Sequence, residues 1–130
     1  MLIFCIDKNL ERTLKLYENN SKKLAGFDQN QVLEYTQFIK KFLSDRSKIF
    51  TYQSWAARQS YIALGFAIYT CSLLGIDTCP IEGFDSLEVD KEIGLIDSDY
   101  ASIVILAIGK KIENKQCSPK IRKSANELFF

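Results

Sequence analysis

The sequence predicts an α+β chain, and three observations carry the prediction. Two apolar runs, Leu2 to Ile6 and Ala101 to Ile108, read as strands. Between them, Val32, Leu33, Tyr35, Phe38, Ile39, Phe42 and Leu43 recur three and four apart, which is one face of a helix. The stretch from Gln59 to Ile76 carries no charge and is apolar nearly all round, the pattern of a helix buried at the centre of a domain or of a dimer. With 130 residues, 47% of them hydrophobic and 25% charged, the chain has apolar material for one core, so residues 1–130 are read as a single domain.

The elements follow in order. After the first strand, leucines at positions 10, 14 and 16 suit a short amphipathic helix over Leu10 to Tyr17. Asn19 to Asn30 reads as a polar loop around Gly26, and Val32 to Leu43 is the second helix. In the uncharged helix the small residues Ala56, Ser60, Ala63, Ala67 and Cys71 recur on one face, so that a second helix can approach closely, from this chain or from a partner. Gly75 with Asp77 behind it marks the C-terminal end of that helix. Cys79 to Phe84 is a turn, leading into a short amphipathic helix within Asp85 to Leu95. Ala101 to Ile108 is β-branched on both faces and is therefore a buried strand, not an edge.

Composition excludes several function classes. A net charge of +1 argues against nucleic acid as the main partner, because binding a phosphate backbone needs a marked basic excess on one face. The four cysteines form no CxxC pair and the chain has no histidine, which sets aside a metal site and excludes Ser-His and Cys-His nucleophile systems. Reduced thiols in the cytoplasm are the expected state. LIFCI is too short for a signal peptide and meets Asp7 and Lys8 at once. The uncharged run is not read as a membrane span, because it holds Gln59, Ser60, Tyr61, Tyr69, Thr70 and Ser72.

Two local patterns point to a ligand. In the turn, Pro80 fixes its own φ and Gly83 lets another surface come close, leaving the N–H groups of Glu82 and Gly83 to point outward. Two fixed backbone donors on a rigid turn, with an apolar wall on either side, are what the polar edge of an aromatic heterocycle needs; an ordinary helix-to-helix turn is the bland alternative. In the basic tail, Lys120 and Arg122 lie two residues apart on an extended segment behind Pro119. Both side chains then project from one face, where they can clamp a phosphate; a solvated tail is the alternative.

The run Ser54 to Phe84, SWAARQSYIALGFAIYTCSLLGIDTCPIEGF, with DSLEVDKEIGL behind it, the strand ending at Gly109 and the Lys120-x-Arg122 pair, resembles the FMN-dependent nitroreductase family of NAD(P)H oxidoreductases. The resemblance covers the C-terminal part of that family's domain. It implies a nitroreductase-like fold, with an antiparallel or mixed central sheet flanked by helices and LIFCID similar to a central strand. It implies FMN as cofactor and NAD(P)H as reductant, with ping-pong hydride transfer to a small aromatic electron acceptor: a nitroaromatic, a quinone or a flavin. The cofactor-binding residues would be Pro80, Ile81, Glu82, Gly83, Lys120 and Arg122, the Glu82 N–H meeting N5 of the ring and the Gly83 N–H the neighbouring carbonyl. No side chain is required as a catalytic acid or base. The uncharged helix and the C-terminus Leu128-Phe129-Phe130 would serve a homodimer, and Phe38 and Phe42 would lie on a helix that covers the active site, with core packing as the alternative role for either one. The family's upstream phosphate- and ribityl-gripping segment has no counterpart here. The expectation is a fragment that needs a missing segment or partner chain, with a non-catalytic remnant acting as an interaction module as the alternative.

Overall fold

A computed structural model describes residues 1–130 apart from 25, 27, 111, 113–118, 120 and 130. Along the chain the elements are β1 (Leu2–Asp7), α1 (Leu10–Ser21), α2 (Gln29–Asp45), α3 (Tyr52–Leu73), β2 (Asp77–Ile81), α4 (Ser86–Glu92), β3 (Tyr100–Gly109) and the single turn α5 (Ala125–Leu128). The strands form one sheet in the order β1-β3-β2, and both pairings are antiparallel. Among the described residues the sheet is thus antiparallel, not mixed. The long strand β3 is central, as its two-sided apolar pattern requires. β1 is an outer strand here, contrary to its expected central place.

Two apolar clusters hold the layers together. Leu64 of α3 packs on Val104 and Leu106 of β3, with Phe4, Ala67, Ile68, Ile103 and Ile108 around them. Val104 and Leu106 are wholly buried, which fixes α3 across the sheet. Leu14, Ile39 and Leu43 join α1 to α2, and Phe42, Phe50, Tyr52 and Trp55 extend that cluster to the start of α3. The Thr36 hydroxyl donates to the Glu18 carboxylate at 2.8 Å and gives the helix pair a buried polar tie. A bulge between Phe4 and Cys5 shifts the β1–β3 register, and the neighbouring Ser102 N–H donates to the buried carboxylate of Asp90 at 2.9 Å, anchoring α4 to the sheet.

Of the small residues of α3, Ser60 and Ala67 turn towards the sheet, whereas Ala63 is exposed. Ala56 is buried, Ala67 joins the Leu64 cluster, and the Ser60 hydroxyl reaches the Cys5 carbonyl at 3.5 Å. The close approach that Ser60 and Ala67 permit is to strands of the sheet.

Helix ends follow their caps. Asn9, Asp28, Thr51 and Asp85 each accept a backbone N–H in the first turn of α1, α2, α3 and α4. At the end of α3, Gly75 adopts φ +66 while the Ile76 N–H donates to the Cys71 carbonyl and the Gly75 N–H to that of Ser72. This paired closure stops the helix where Gly75 stands. The polar loop expected from Asn19 is shorter, because α1 runs on to a buried Ser21 whose hydroxyl donates to the Glu18 carbonyl. No helix among the described residues is long and apolar enough to cross a membrane.

Candidate functional site

The expected turn at Cys79 to Phe84 is in its first half a strand. Cys79, Pro80 and Ile81 close β2, where Pro80 lies opposite Leu106 and Ile81 opposite Ile105. Proline is tolerated because β2 is an outer strand, and such a strand survives the loss of a donor. Pairing ends at Ile81. Beyond it the Phe84 N–H donates to the Glu82 carbonyl at 2.9 Å, a three-residue turn centred on Gly83. Asp85 then accepts the N–H groups of Leu87 and Glu88 and opens α4. The Glu82-Gly83 segment is thereby held between the end of a strand and the cap of a helix.

All four predicted residues of this segment are exposed, with Ile81 at 36%. Around Gly83, no heavy atom lies within 4 Å of the place where a Cβ would stand. Its φ lies outside the left-handed region, so openness and not backbone strain is what distinguishes the position. From α3, the Tyr61 hydroxyl donates to the Glu82 carboxylate across the segment. That hydrogen bond pushes the Tyr61 phenol above its ordinary pKa, with burial and the Glu82 charge acting in the same direction. Sequence reasoning did not single out Tyr61 for this role. The contact spans 21 residues, and no periodicity connects the two positions.

Arg122 is exposed and donates through its guanidinium to the Ile121 carbonyl at 2.8 Å. Lys120, its expected partner in a phosphate clamp, lies outside the described residues. Of the aromatic residues expected over the substrate, Phe42 is half-buried between the α1–α2 cluster and Phe50, whereas Phe38 is 60% exposed beside it. A surface concavity of about 600 Å³ is lined by Phe38, Phe42 and Ile49 with Lys41, Asp45 and Arg46; it belongs to the α2 surface and not to the Glu82-Gly83 turn.

No protein-family model matches the chain. Individual proteins do. An NAD(P)H nitroreductase candidate of Staphylococcus haemolyticus is 37% identical over 83 residues, covering 61% of this chain and 37% of the relative. The oxygen-insensitive NADPH nitroreductase of Helicobacter acinonychis is 31% identical over 109 residues, covering 84% of this chain and 46% of the relative. The chain is related to the nitroreductases. Its fold is theirs as well: the crystal structure of the nitroreductase-like protein ydfN of Bacillus subtilis superimposes with a TM-score of 0.75 over 97% of this chain and 60% of that one, at 24% identity. This nitroreductase-like chain spans about half or less of the length of these two curated relatives.

Proposed function

We propose that this nitroreductase-like chain forms part of the FMN site of an NAD(P)H oxidoreductase, with Pro80, Ile81, Glu82 and Gly83 at the flavin ring and Lys120 with Arg122 at the phosphate. The observation that carries the reading is the open Glu82-Gly83 turn at the end of β2, in a chain related to proteins named NADPH and NAD(P)H nitroreductases. The residues fit the group. A planar ring needs clearance, and the space over Gly83 is clear of heavy atoms to 4 Å. It also needs a rigid polar edge, and the backbone here is held on both sides by strand pairing and by the Asp85 cap. Ile81 and Pro80 offer the apolar contact.

When bound, FMN supplies hydride transfer, accepting from NAD(P)H and passing on to a small aromatic acceptor such as a nitroaromatic, a quinone or a free flavin. The chain's own part is to bind and orient. The Glu82 and Gly83 N–H groups favour negative charge at the ring edge they face, and Lys120 and Arg122 neutralise the phosphate dianion. A homodimer completes the reading.

The test is a titration of the purified chain with FMN and with riboflavin, followed by flavin fluorescence. The purified chain binds FMN more tightly than riboflavin, because only FMN carries the phosphate that Lys120 and Arg122 would hold. Replacing Lys120 and Arg122 by alanine weakens FMN roughly tenfold or more while leaving riboflavin, which has no phosphate, nearly untouched. Equal losses for both ligands, or no response to FMN, would overturn the proposal.

A further inference from the structure

Between the last strand pair, Ile81 with Ile105, and the Asp85 cap lie Glu82, Gly83 and Phe84, which include both proposed N–H donors and are joined to each other by the hydrogen bond from the Phe84 N–H to the Glu82 carbonyl. A turn so short and exposed opens readily unless another element restrains it. The restraint comes from α3. Tyr61 stands one helical turn before Leu64, which is buried against Val104 and Leu106, so its place over the sheet is fixed by the core. From there its hydroxyl, on a residue that is 38% exposed, donates to the Glu82 carboxylate.

We infer that Tyr61 is a positioning residue: acting through the Glu82 carboxylate, it holds the Glu82-Gly83 backbone in the orientation that receives a flavin ring. The inference rests on the FMN reading above and adds a residue to it. Two consequences of the contact support it. Pre-ordering the turn lowers the entropic cost of docking a ligand on its N–H groups. The same hydrogen bond draws the carboxylate back towards α3, keeping a negative charge away from a ring edge that itself becomes more negative on reduction. The raised phenol pKa agrees with a carboxylate acceptor, its largest cause being this hydrogen bond.

The test compares wild type, Tyr61→Phe, Glu82→Ala and the double variant as the full chain, using amide-resolved NMR. Without flavin, each single variant speeds exchange of the Phe84 amide, which donates to the Glu82 carbonyl, about fivefold, and the double variant adds nothing further, because both remove one contact. Exchange at Leu106 stays unchanged and reports that the fold is intact. With labelled tyrosine, the Tyr61 ring titrates above its ordinary value in wild type and returns towards it in Glu82→Ala. Unchanged turn exchange in Tyr61→Phe, or additive effects in the double variant, would overturn the inference.

Titration with FMN then separates the two readings. In wild type the Glu82 and Gly83 amide signals shift with FMN, and half-saturation in Tyr61→Phe needs about fivefold more ligand. If the amides respond equally in both proteins, the positioning role of Tyr61 is wrong while the flavin reading stands. If they ignore FMN in wild type, the flavin reading falls, and the positioning role falls with it whatever the exchange rates are.

Discussion

Arg12 of α1 binds two other parts of the chain at once, Asp7 of β1 and the Asp99-Tyr100 pair at the start of β3. Its Nε donates to Asp7 at 2.8 Å, its Nη1 pairs with Asp99 at 3.0 Å, and its guanidinium lies 4.6 Å from the centre of the Tyr100 ring. For Asp7, burial acts to raise the pKa, but the hydrogen bonds from Arg12 and from the Asn9 N–H, with the Arg12 charge, outweigh it and hold the carboxyl below its ordinary 3.8. A carboxyl whose pKa is lowered by folding contributes stability above its unfolded value and loses it as pH falls through the folded value. The stability difference between wild type and Asp7→Asn is therefore full above pH 3.8 and closes as the pH drops below it, which denaturant melts across the acid range measure. At the candidate site, Gly83 gives a second prediction. The position is open and free of left-handed strain, so Gly83→Val leaves the melting temperature of the free chain near wild type. FMN affinity falls about tenfold, because the two methyl groups occupy the space proposed for the ring. Glu82→Gln changes FMN affinity little, since the N–H survives and the amide oxygen still accepts from Tyr61. A large loss in Glu82→Gln beside a mild one in Gly83→Val would assign the role to the carboxylate instead.

Among the elements, β3 carries the most consequence per residue, because it pairs on both edges and is covered by α3. Leu106 is wholly buried, and Leu106→Ala costs about 2–5 kcal/mol in a urea melt, whereas Leu87→Ala on the exposed side of α4 stays within about 0.5 kcal/mol. β3 was legible because its residues are apolar on both faces, a pattern that only a central strand needs. The end of α3 was legible for a different reason: Gly75 is a residue that accepts φ +66 without strain. β2 was not legible. Asp-Thr-Cys-Pro-Ile has no alternation, and its proline signals a turn until the neighbour on one side and the open edge on the other are known. The last turn of α1 escaped as well, since Glu-Asn-Asn-Ser is polar and only the tertiary burial of Ser21 explains its helicity. The same division holds at the candidate site. Pro80 and Gly83 could be found from local backbone chemistry, whereas Tyr61 enters through a contact that only packing creates, and Lys120 lies outside the described residues.

At the scale of the whole molecule, α3 is covered on one side alone among the described residues. Its inner face lies on the sheet, but Ile62, Phe66, Tyr69 and Leu73, spaced four, three and four apart, form an outer stripe in which each residue is more than half exposed. Leu128 and Phe129 add exposed apolar surface near the C-terminus. A contiguous apolar row of this kind draws proteins together, and the partner we propose is a second copy of the chain, with α3 as its contact surface. The chain then sediments as a dimer at micromolar concentration. Phe66→Glu places a charge in the middle of the row, and because Phe66 is 70% exposed the substitution leaves the monomer's fold and its far-ultraviolet circular dichroism intact while moving the sedimentation coefficient to the monomer value. Nonspecific association through loose apolar surface gives a different pattern, a spread of sizes that grows with concentration and that a single charge only thins. A folded wild-type monomer at micromolar concentration, or a dimer that Phe66→Glu leaves unchanged, would remove α3 as the interface.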